Sequence, residues 1–314
     1  MIQRELDKDG NKASDHRERS AFFCTGTYYG SMRDIGAYAL MIQANELASW
    51  GIYAASAEAQ ITIPADMDKS RINSIRNHLK GAVKRLSEEG FLIEELKIQG
   101  GIQTAVKVPA VRVTAAGSER TKRLQSACLT ARAGQDILLA GWVGIEGMLR
   151  IVGERERELR ERFTPSFIRQ IKAFDSEITG FRKIAAAKEA GISFIRQITE
   201  GGIFAALWRL SQETGLGMEL DMKKFAVRQE TVEVCEYFRL NPYQLTSGGS
   251  FLMLAEHGGA AAEALRQKGI AAAVIGQLNG GNDKVIRNGE EMRYIDRPAP
   301  DELMKVFDRS VDVI

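Results

Sequence analysis

Two adjacent glycines that precede an amphipathic helix are the first feature of this sequence that could do chemistry. The run FIRQITEGGIFAALW, residues 194–208, places Thr-Glu-Gly-Gly between an apolar stretch and the helix. Because glycine has no Cβ, a phosphate could approach the N–H groups of Gly201 and Gly202 at the positive end of the helix dipole. Thr199 is a natural N-cap residue. The pattern is equally typical of a phosphate-binding turn and of an ordinary capped helix.

A second glycine pair, Gly248 and Gly249, precedes an apolar strand in LTSGGSFLM. Glycines at the start of a strand are typical of a bulge or a tight bend. This pair would line the same pocket as the first turn if its strand lay beside that turn.

An amide and a carboxylate, Asn45 and Glu46, interrupt an otherwise apolar helix in QANELASWG. Adjacent helical residues point about 100° apart, so at most one of the two faces the core. A buried polar group there would need a partner, such as a metal-bound nucleotide. Periodicity alone favours the simpler interpretation of two solvated side chains.

Several familiar kinds of site are not indicated. The sequence contains no Walker motif and no G-x-G-x-x-G after a strand. Its three histidines and three cysteines are scattered without a CxxC pair, so neither a zinc site nor a Ser-His-Asp triad is predicted. We interpret His78 as a surface residue and Cys24 as part of the core. Unpaired thiols suit a reducing cytosol.

Length and charge limit the classes of partner. The 314 residues are 44% hydrophobic and 27% charged, which is typical of a globular protein. A formal net charge of +2 indicates neither nucleic-acid binding nor a polybasic membrane surface. The longest apolar stretch, ILLAGWVGIEGMLRIVG, is interrupted by Glu146 and is shorter than the roughly 20 residues that cross a bilayer. We expect a cytoplasmic protein without nucleic-acid or membrane partners.

Hydrophobic periodicity predicts the elements that position these residues. Residues 1–20 are densely charged, lack the apolar core of a signal peptide, and are predicted to form a disordered leader. Residues 21–134 are predicted as a first domain with the order β-α-β-α-β-β, in which a helix over 32–50 opens with a Ser31–Asp34 capping box.

Residues 135–314 are predicted as a second domain with long charged helices. Helices are expected at 165–174, 182–190 and 203–214, and a β-α-β unit at 247–278. Strands and helices do not alternate strictly along the chain. Two α+β domains are therefore predicted rather than one doubly wound sheet.

Four segments of the second half resemble, in order, the carboxy-terminal half of the AIR synthase-related (PurM-like) superfamily. They are LLAGWVGIEGMLRIV, ITEGGIFAALWRLSQETGLGMELD, VRQETVEVCEYFRLNPYQLTSGGSFLMLAE and AAAVIGQLNGGND. The first half matches more weakly, through DIGAYALMIQANELASWGI, ITIPAD and VPAVRVTAAG. The sequence is most similar to the hydrogenase-maturation-factor-like (HypE-like) branch.

The resemblance implies a two-domain PurM-like α+β fold. In this family an N-terminal α/β domain pairs with a second copy to form a dimer barrel, and a C-terminal α+β domain follows. It also implies ATP-dependent phosphoryl transfer to a carbonyl-type oxygen without a Walker loop. Magnesium ions held by aspartates would organise the phosphates.

The chain departs from the family pattern at its acidic positions. In RQITEGG, Arg196 and Gln197 stand where the family carries His and Asp, and Asn45-Glu46 replaces its Asn-Asp pair. Residues 1–20 and the segment KIQGGIQT also lack the expected polar residues. The resemblance leaves Glu46 as the candidate metal ligand. The candidate ligand-binding residues are Asn45, Glu46, Arg196, Thr199, Gly201, Gly202, Gly248 and Gly249.

Three hypotheses follow from these departures, and none assigns a catalytic residue. The first is a homodimeric, catalytically impaired family member that binds a nucleotide or a small phosphorylated ligand as a regulatory module. The second is an active ATP-dependent enzyme that phosphorylates a carbonyl-type oxygen with a rearranged Mg²⁺ site. The third is a subunit that pairs with an active paralogue.

Overall fold

The computed structural model describes residues 19–120, 131–192 and 194–308. The N-terminal part forms a four-stranded sheet in the order β1-β4-β2-β3, with two helices on one face. The β2–β3 pair is parallel and the other pairs are antiparallel. The predicted order of elements is confirmed. The elements are β1 (Arg19–Tyr29), α1 (Ile35–Ser49), β2 (Ala54–Pro64), α2 (Ser70–Glu88), β3 (Leu92–Gln103) and β4 (Ala110–Arg120).

The remainder forms a mixed seven-stranded sheet with helices packed against it. In chain order its elements are β5 (Asp136–Ala140), α3 (Ile145–Arg162), α4 (Pro165–Lys172), α5 (Phe181–Glu189), β6 (Phe194–Gln197), α6 (Gly202–Thr214), β7 (Gly217–Asp221), α7 (Gln229–Phe238), β8 (Phe251–Ala255), α8 (Gly258–Gln267), β9 (Ala272–Asn279), β10 (Lys284–Asn288), β11 (Glu291–Tyr294) and α9 (Met304–Asp308). The strand order is β11-β10-β7-β9-β5-β8-β6. In the predicted β-α-β unit, β8 and β9 lie on opposite sides of β5.

Helix α1 joins the two halves of the molecule. Every one of its residues except Glu46 is buried, and it contacts β1 and β4 of the first sheet and β6 of the second. Apolar residues occur on every side of this helix, which is the composition of a helix buried on all sides. The site residues of α1 therefore lie between the two sheets.

Two predictions for the N-terminal part need correction. Helix α1 begins at Ile35 rather than at residue 32, and Asp34 makes no side-chain cap because its carboxylate pairs with His78 Nε2 at 3.3 Å. Strand β1 already begins at Arg19, inside the predicted leader. The rest of that leader, residues 1–18, lies outside the described residues.

No helix in the described ranges combines the length and the apolar character needed to cross a membrane.

Candidate functional site

A cavity of about 500 Å³ lies where β1 and α1 face β6, α6 and the chain around residues 301–304. Its size is in the range of small-molecule sites. Both signs of charge are present in its lining. The charged lining residues are Glu46, Arg150, Arg196, Glu200, Arg209, Glu213 and Asp301.

The first glycine turn lies beside this cavity, whose lining includes Thr199 and Glu200 but neither Gly201 nor Gly202. Gly201 and Gly202 have φ angles of +80° and +66°, which L side chains rarely adopt, and a Cβ on Gly202 would lie 2.5 Å from the Tyr243 carbonyl. Gly201 occupies the N-cap position of α6, so the prediction that Thr199 caps this helix is wrong. The Thr199 hydroxyl instead lies 3.4 Å from an Arg209 nitrogen.

A carboxylate from the distant C-terminal segment caps the turn. The Gly201 N–H donates to Asp301 Oδ2 at 2.7 Å, and the Leu303 N–H donates to Asp301 Oδ1 at 2.9 Å. Burial raises the pKa of Asp301 from 3.8 to about 6, although these two hydrogen bonds lower it. The Gly202 N–H donates to the Thr199 carbonyl at 3.1 Å, so both N–H groups that a phosphate would use are bonded to the chain itself.

Beneath the turn lies a buried amide network. Gln197 Oε1 accepts from Asn45 Nδ2 at 2.9 Å and from the Gly249 N–H at 3.2 Å. Gln197 Nε2 donates to the Ile42 carbonyl at 3.0 Å and lies 3.4 Å from Glu46 Oε2. Both polar atoms of the Gln197 amide are therefore committed within the protein.

The interpretation of Asn45 and Glu46 as two solvated side chains is wrong. Asn45 is fully buried, donating to the Ile178 carbonyl at 2.7 Å and accepting from the Gly180 N–H at 2.8 Å. The periodicity argument failed because α1 is covered on all sides. Glu46 is the half-buried member and lines the cavity.

Glu46 has no ion pair within the described part of the chain, but two arginines act on it from a distance. Burial raises the pKa of the Glu46 carboxyl, while the charge of Arg196, a hydrogen bond from Trp50 Nε1, Gln197 and the charge of Arg209 lower it. This carboxylate therefore faces the cavity in an environment that would favour a nearby cation.

The two arginines at this end of the cavity differ in how strongly they are held. Arg196 lies over the Trp50 ring at 3.7 Å and the Phe194 ring at 4.4 Å, and its Nε donates to Glu213 Oε1 at 2.9 Å. Arg209 is exposed, and its hydrogen bonds to other described residues are long, at 3.3 Å to the Glu200 carbonyl and 3.4 Å to the Thr199 hydroxyl. Arg209, which the sequence analysis did not single out, is the more accessible cation.

The second glycine pair lies beside the first turn but does not line the cavity. Strand β8 pairs with β6, and a Cβ on Gly249 would lie 2.1 Å from the Glu177 carbonyl. The Gly248 N–H donates to Glu146 Oε2 at 3.0 Å. The pair forms a tight turn against buried backbone, which agrees with the structural interpretation.

Glu146 and Arg150 form a buried ion pair that sequence analysis missed. Arg150 donates to Glu146 Oε1 at 3.1 Å and to the Tyr29 carbonyl at 3.1 Å. The Thr246 hydroxyl donates to Glu146 Oε2 at 2.6 Å. The sequence does contain a signal for this pair, since Glu146 and Arg150 are opposite charges at i,i+4 spacing inside an apolar run. Asp301 carried no comparable signal, because its role depends on a contact 100 residues away.

The residues present do not reproduce the aspartate set that the resemblance implies for magnesium. Within the described ranges, no group of three or more His, Cys, Asp or Glu side chains could hold a metal ion. Both atoms of the Gln197 amide are hydrogen-bonded within the protein. Glu46 therefore remains as the candidate metal ligand.

Comparison with known proteins agrees with the fold. A carbamoyl dehydratase HypE of Azotobacter vinelandii is 29% identical over 152 residues, 47% of this chain and 42% of that protein. The chain thus matches less than half the length of that relative. Among solved structures it is similar to Escherichia coli HypE, a hydrogenase maturation protein, with a TM-score of 0.72 and 18% identity over 97% of this chain and 92% of that one.

The hydrogenase maturation protein HypE solved in complex with ATP is also similar. Its TM-score is 0.66, with 16% identity over 96% of this chain and 89% of that one. Residues 132–288, half of the chain, match the family model described as AIR synthase related protein, C-terminal domain. The chain therefore belongs to the AIR synthase-related family, and the resemblance drawn from its motifs is confirmed.

Proposed function

We propose that this protein binds a nucleotide or a small phosphorylated ligand in the cavity, as a regulatory module with impaired phosphoryl transfer. The observation that carries the proposal is the commitment of Gln197. Gln197 stands at a position where the family carries an aspartate. Both atoms of its amide form hydrogen bonds that hold α1, β6 and the turn before β8 together. A metal-binding position has become a structural one.

Ligand binding itself is supported by the cavity and its arginines. The cavity volume of about 500 Å³ suits a small organic ligand. Arg209 lies at the turn with weak internal contacts, and guanidinium groups bind phosphate through paired hydrogen bonds. A similar structure, HypE, is described in complex with ATP.

Calorimetric titration with ATP, with and without magnesium, tests the proposal. We expect binding whose affinity changes less than about threefold with magnesium, because no aspartate set links the metal to the protein. Steady-state ATP hydrolysis should not exceed the rate of a Glu46→Gln variant. No binding of ATP, ADP or inorganic phosphate at millimolar concentration would contradict the proposal.

A rearranged metal site is the second candidate, and Glu46 favours it. Its carboxylate is half-buried at the cavity without an ion pair in the described residues. In that case Glu46, Thr199 and the Gly201–Gly202 turn would hold the metal and phosphates. Magnesium-dependent hydrolysis that Glu46→Gln abolishes, with retained fold, would establish this function in place of the first.

We also propose a cytoplasmic homodimer formed through the first sheet. This sheet is open, with β1 and β3 at its edges, and Phe23 on β1 is 68% exposed. A second copy could pair there and close a barrel. Light scattering coupled to chromatography should give twice the chain mass, and Phe23→Glu should shift the protein toward monomer. A monomer that co-purifies with a paralogue would instead support the third hypothesis.

A further inference from the structure

Strand β11 forms one edge of the seven-stranded sheet. All of its residues, Glu291–Tyr294, are exposed, and among the residues that the structure describes it pairs only with β10. Met292 and Tyr294 are two residues apart, so they share one face of the strand, and they are 51% and 57% exposed. An open edge with apolar side chains is a template for pairing with another strand.

The pairing with β10 fixes which backbone groups of β11 point outward. The Ile295 N–H donates to the Lys284 carbonyl at 2.9 Å. In an antiparallel pair, positions that bond to the neighbouring strand alternate with positions whose N–H and C=O groups point away from it. The backbone groups of Met292 and Tyr294 therefore point away from β10, toward the open side of the sheet.

The charges of β11 are arranged so that a second copy would not be repelled. Charged residues at an edge usually prevent strand pairing. Glu291 and Arg293 share the other face of the strand and form an exposed ion pair at 3.0 Å. If two β11 strands paired antiparallel about Met292, Glu291 of each copy would lie opposite Arg293 of the other. Opposite charges at facing positions stabilise such a pair, whereas pairing about Arg293 would set two arginines against each other.

The same register brings the apolar side chains of the two copies together. Met292 would lie opposite Met292 of the other copy and diagonally across from its Tyr294, at separations of about 5 Å and about 7 Å, at which cross-strand side chains interact. Methionine sulfur packs favourably against aromatic rings. The outward N–H and C=O groups of Met292 would bond to their counterparts. One register thus matches the backbone groups, the charges and the apolar side chains.

We infer that β11 is a self-association surface, at which two copies of this chain pair their β11 strands antiparallel about Met292. The pairing would join the two seven-stranded sheets into one. It is separate from the first-sheet contact of the proposed homodimer and does not depend on it. Because so short a strand gives a small interface, the association should be weak and transient.

Sedimentation equilibrium tests the pairing in the Phe23→Glu variant, which removes the first-sheet contact. The apparent mass should rise toward twice the chain mass as the concentration increases to about 1 mM. Glu291→Arg and Arg293→Glu, added singly, should each weaken the association at least about tenfold, because each sets like charges opposite each other twice. A monomer at every concentration would overturn the inference and leave the edge to a strand of another protein or to solvent. Unchanged association in both charge variants would also overturn it.

Mixing the two charge variants gives the sharper test. Glu291→Arg opposite Arg293→Glu restores opposite charges at both facing positions, so the mixture should associate at least about tenfold more tightly than either variant alone. The control mixture is Glu263→Arg with Arg266→Glu, which makes the same charge changes at an exposed ion pair on α8 and should show no such preference. An equal preference in both mixtures would mean attraction between net charges and would overturn the strand pairing.

Met292→Pro tests the backbone contribution. Proline removes the outward N–H at this position and leaves the hydrogen bonds between β11 and β10 in place. We expect Met292→Pro to abolish the association and Met292→Ala, which keeps the N–H, to weaken it less. Association that survives in Met292→Pro would overturn the inference. The mixture of charge variants still decides the question if the proline variant does not fold.

The two self-association proposals can fail separately. Loss of the charge effects, with a dimer that Phe23→Glu still disrupts, would contradict only the β11 pairing. Charge effects that persist in a protein whose mass at low concentration does not respond to Phe23→Glu would contradict only the first-sheet homodimer.

Discussion

The amide network around Gln197 and the ion pair around Arg150 are two buried polar clusters at one cavity, and they differ in completeness. The Gln197 network is uncharged, and both amides that form it are fully engaged by the protein. The Arg150 cluster is charged and leaves one donor, Arg150 Nε, without a hydrogen-bond partner among the described residues. A satisfied network rigidifies the fold, whereas a buried donor without a partner costs free energy. The first cluster is therefore the one whose loss should cost the most stability.

Removing the centre of the amide network should have the largest effect on stability. Asn45→Ala leaves the Gly180 N–H and the Ile178 carbonyl unpaired in the core. We expect a loss of about 3 kcal/mol in the free energy of unfolding, since each buried unsatisfied group costs about 1–3 kcal/mol. Urea denaturation measures it.

The matched control is Asn73→Ala, which removes an exposed amide on α2 whose oxygen accepts a hydrogen bond from Arg76. Exposed substitutions of this kind change stability by about 0.5 kcal/mol or less. An equal loss in the free energy of unfolding for the two variants would contradict the structural role that we assign to the amide network.

A pH dependence of intermediate size should come from Asp301. Its folded-state pKa of about 6 exceeds the ordinary 3.8, so the folded protein binds more protons between these values and stability falls as pH rises through them. The decrease should be about 2 to 3 kcal/mol. The difference between wild type and Asp301→Asn in urea denaturation at pH 4 and pH 7 measures it. Parallel profiles for the two proteins would contradict the assigned shift.

The smallest expected effect concerns anion affinity at the mouth of the cavity. Glu213→Gln removes one carboxylate that pairs with Arg196, which makes the charge around the stacked guanidinium more positive. Calorimetry should show inorganic phosphate binding about fivefold more tightly, equivalent to about 1 kcal/mol. Glu256→Gln, which breaks the exposed pair with Arg132, should leave the affinity unchanged. A loss of affinity would show that Glu213 itself helps to hold the anion.

Much of the fold was predictable from local pattern. Periodicity and glycine positions indicated the order of elements in the first half and the ends of helices such as α6, which stops at Gly215 with a φ angle of +69°. These features depend on neighbouring residues, so short-range rules are sufficient for them. The start of α1 was misplaced because Asp34 pairs with His78, which is 44 residues away.

The site was less predictable because its residues act through distant contacts. The sequence alone determined which side chains are available: two glycine pairs, the Asn45-Glu46 pair and the Arg196-Gln197 pair. Only the tertiary structure decided that Asp301 caps the glycine turn, that Gln197 is structural, and that Arg150 has an unmet donor. Hydrogen bonding and desolvation depend on which groups are brought within about 3 Å, and the packing of the two sheets around α1 sets those distances.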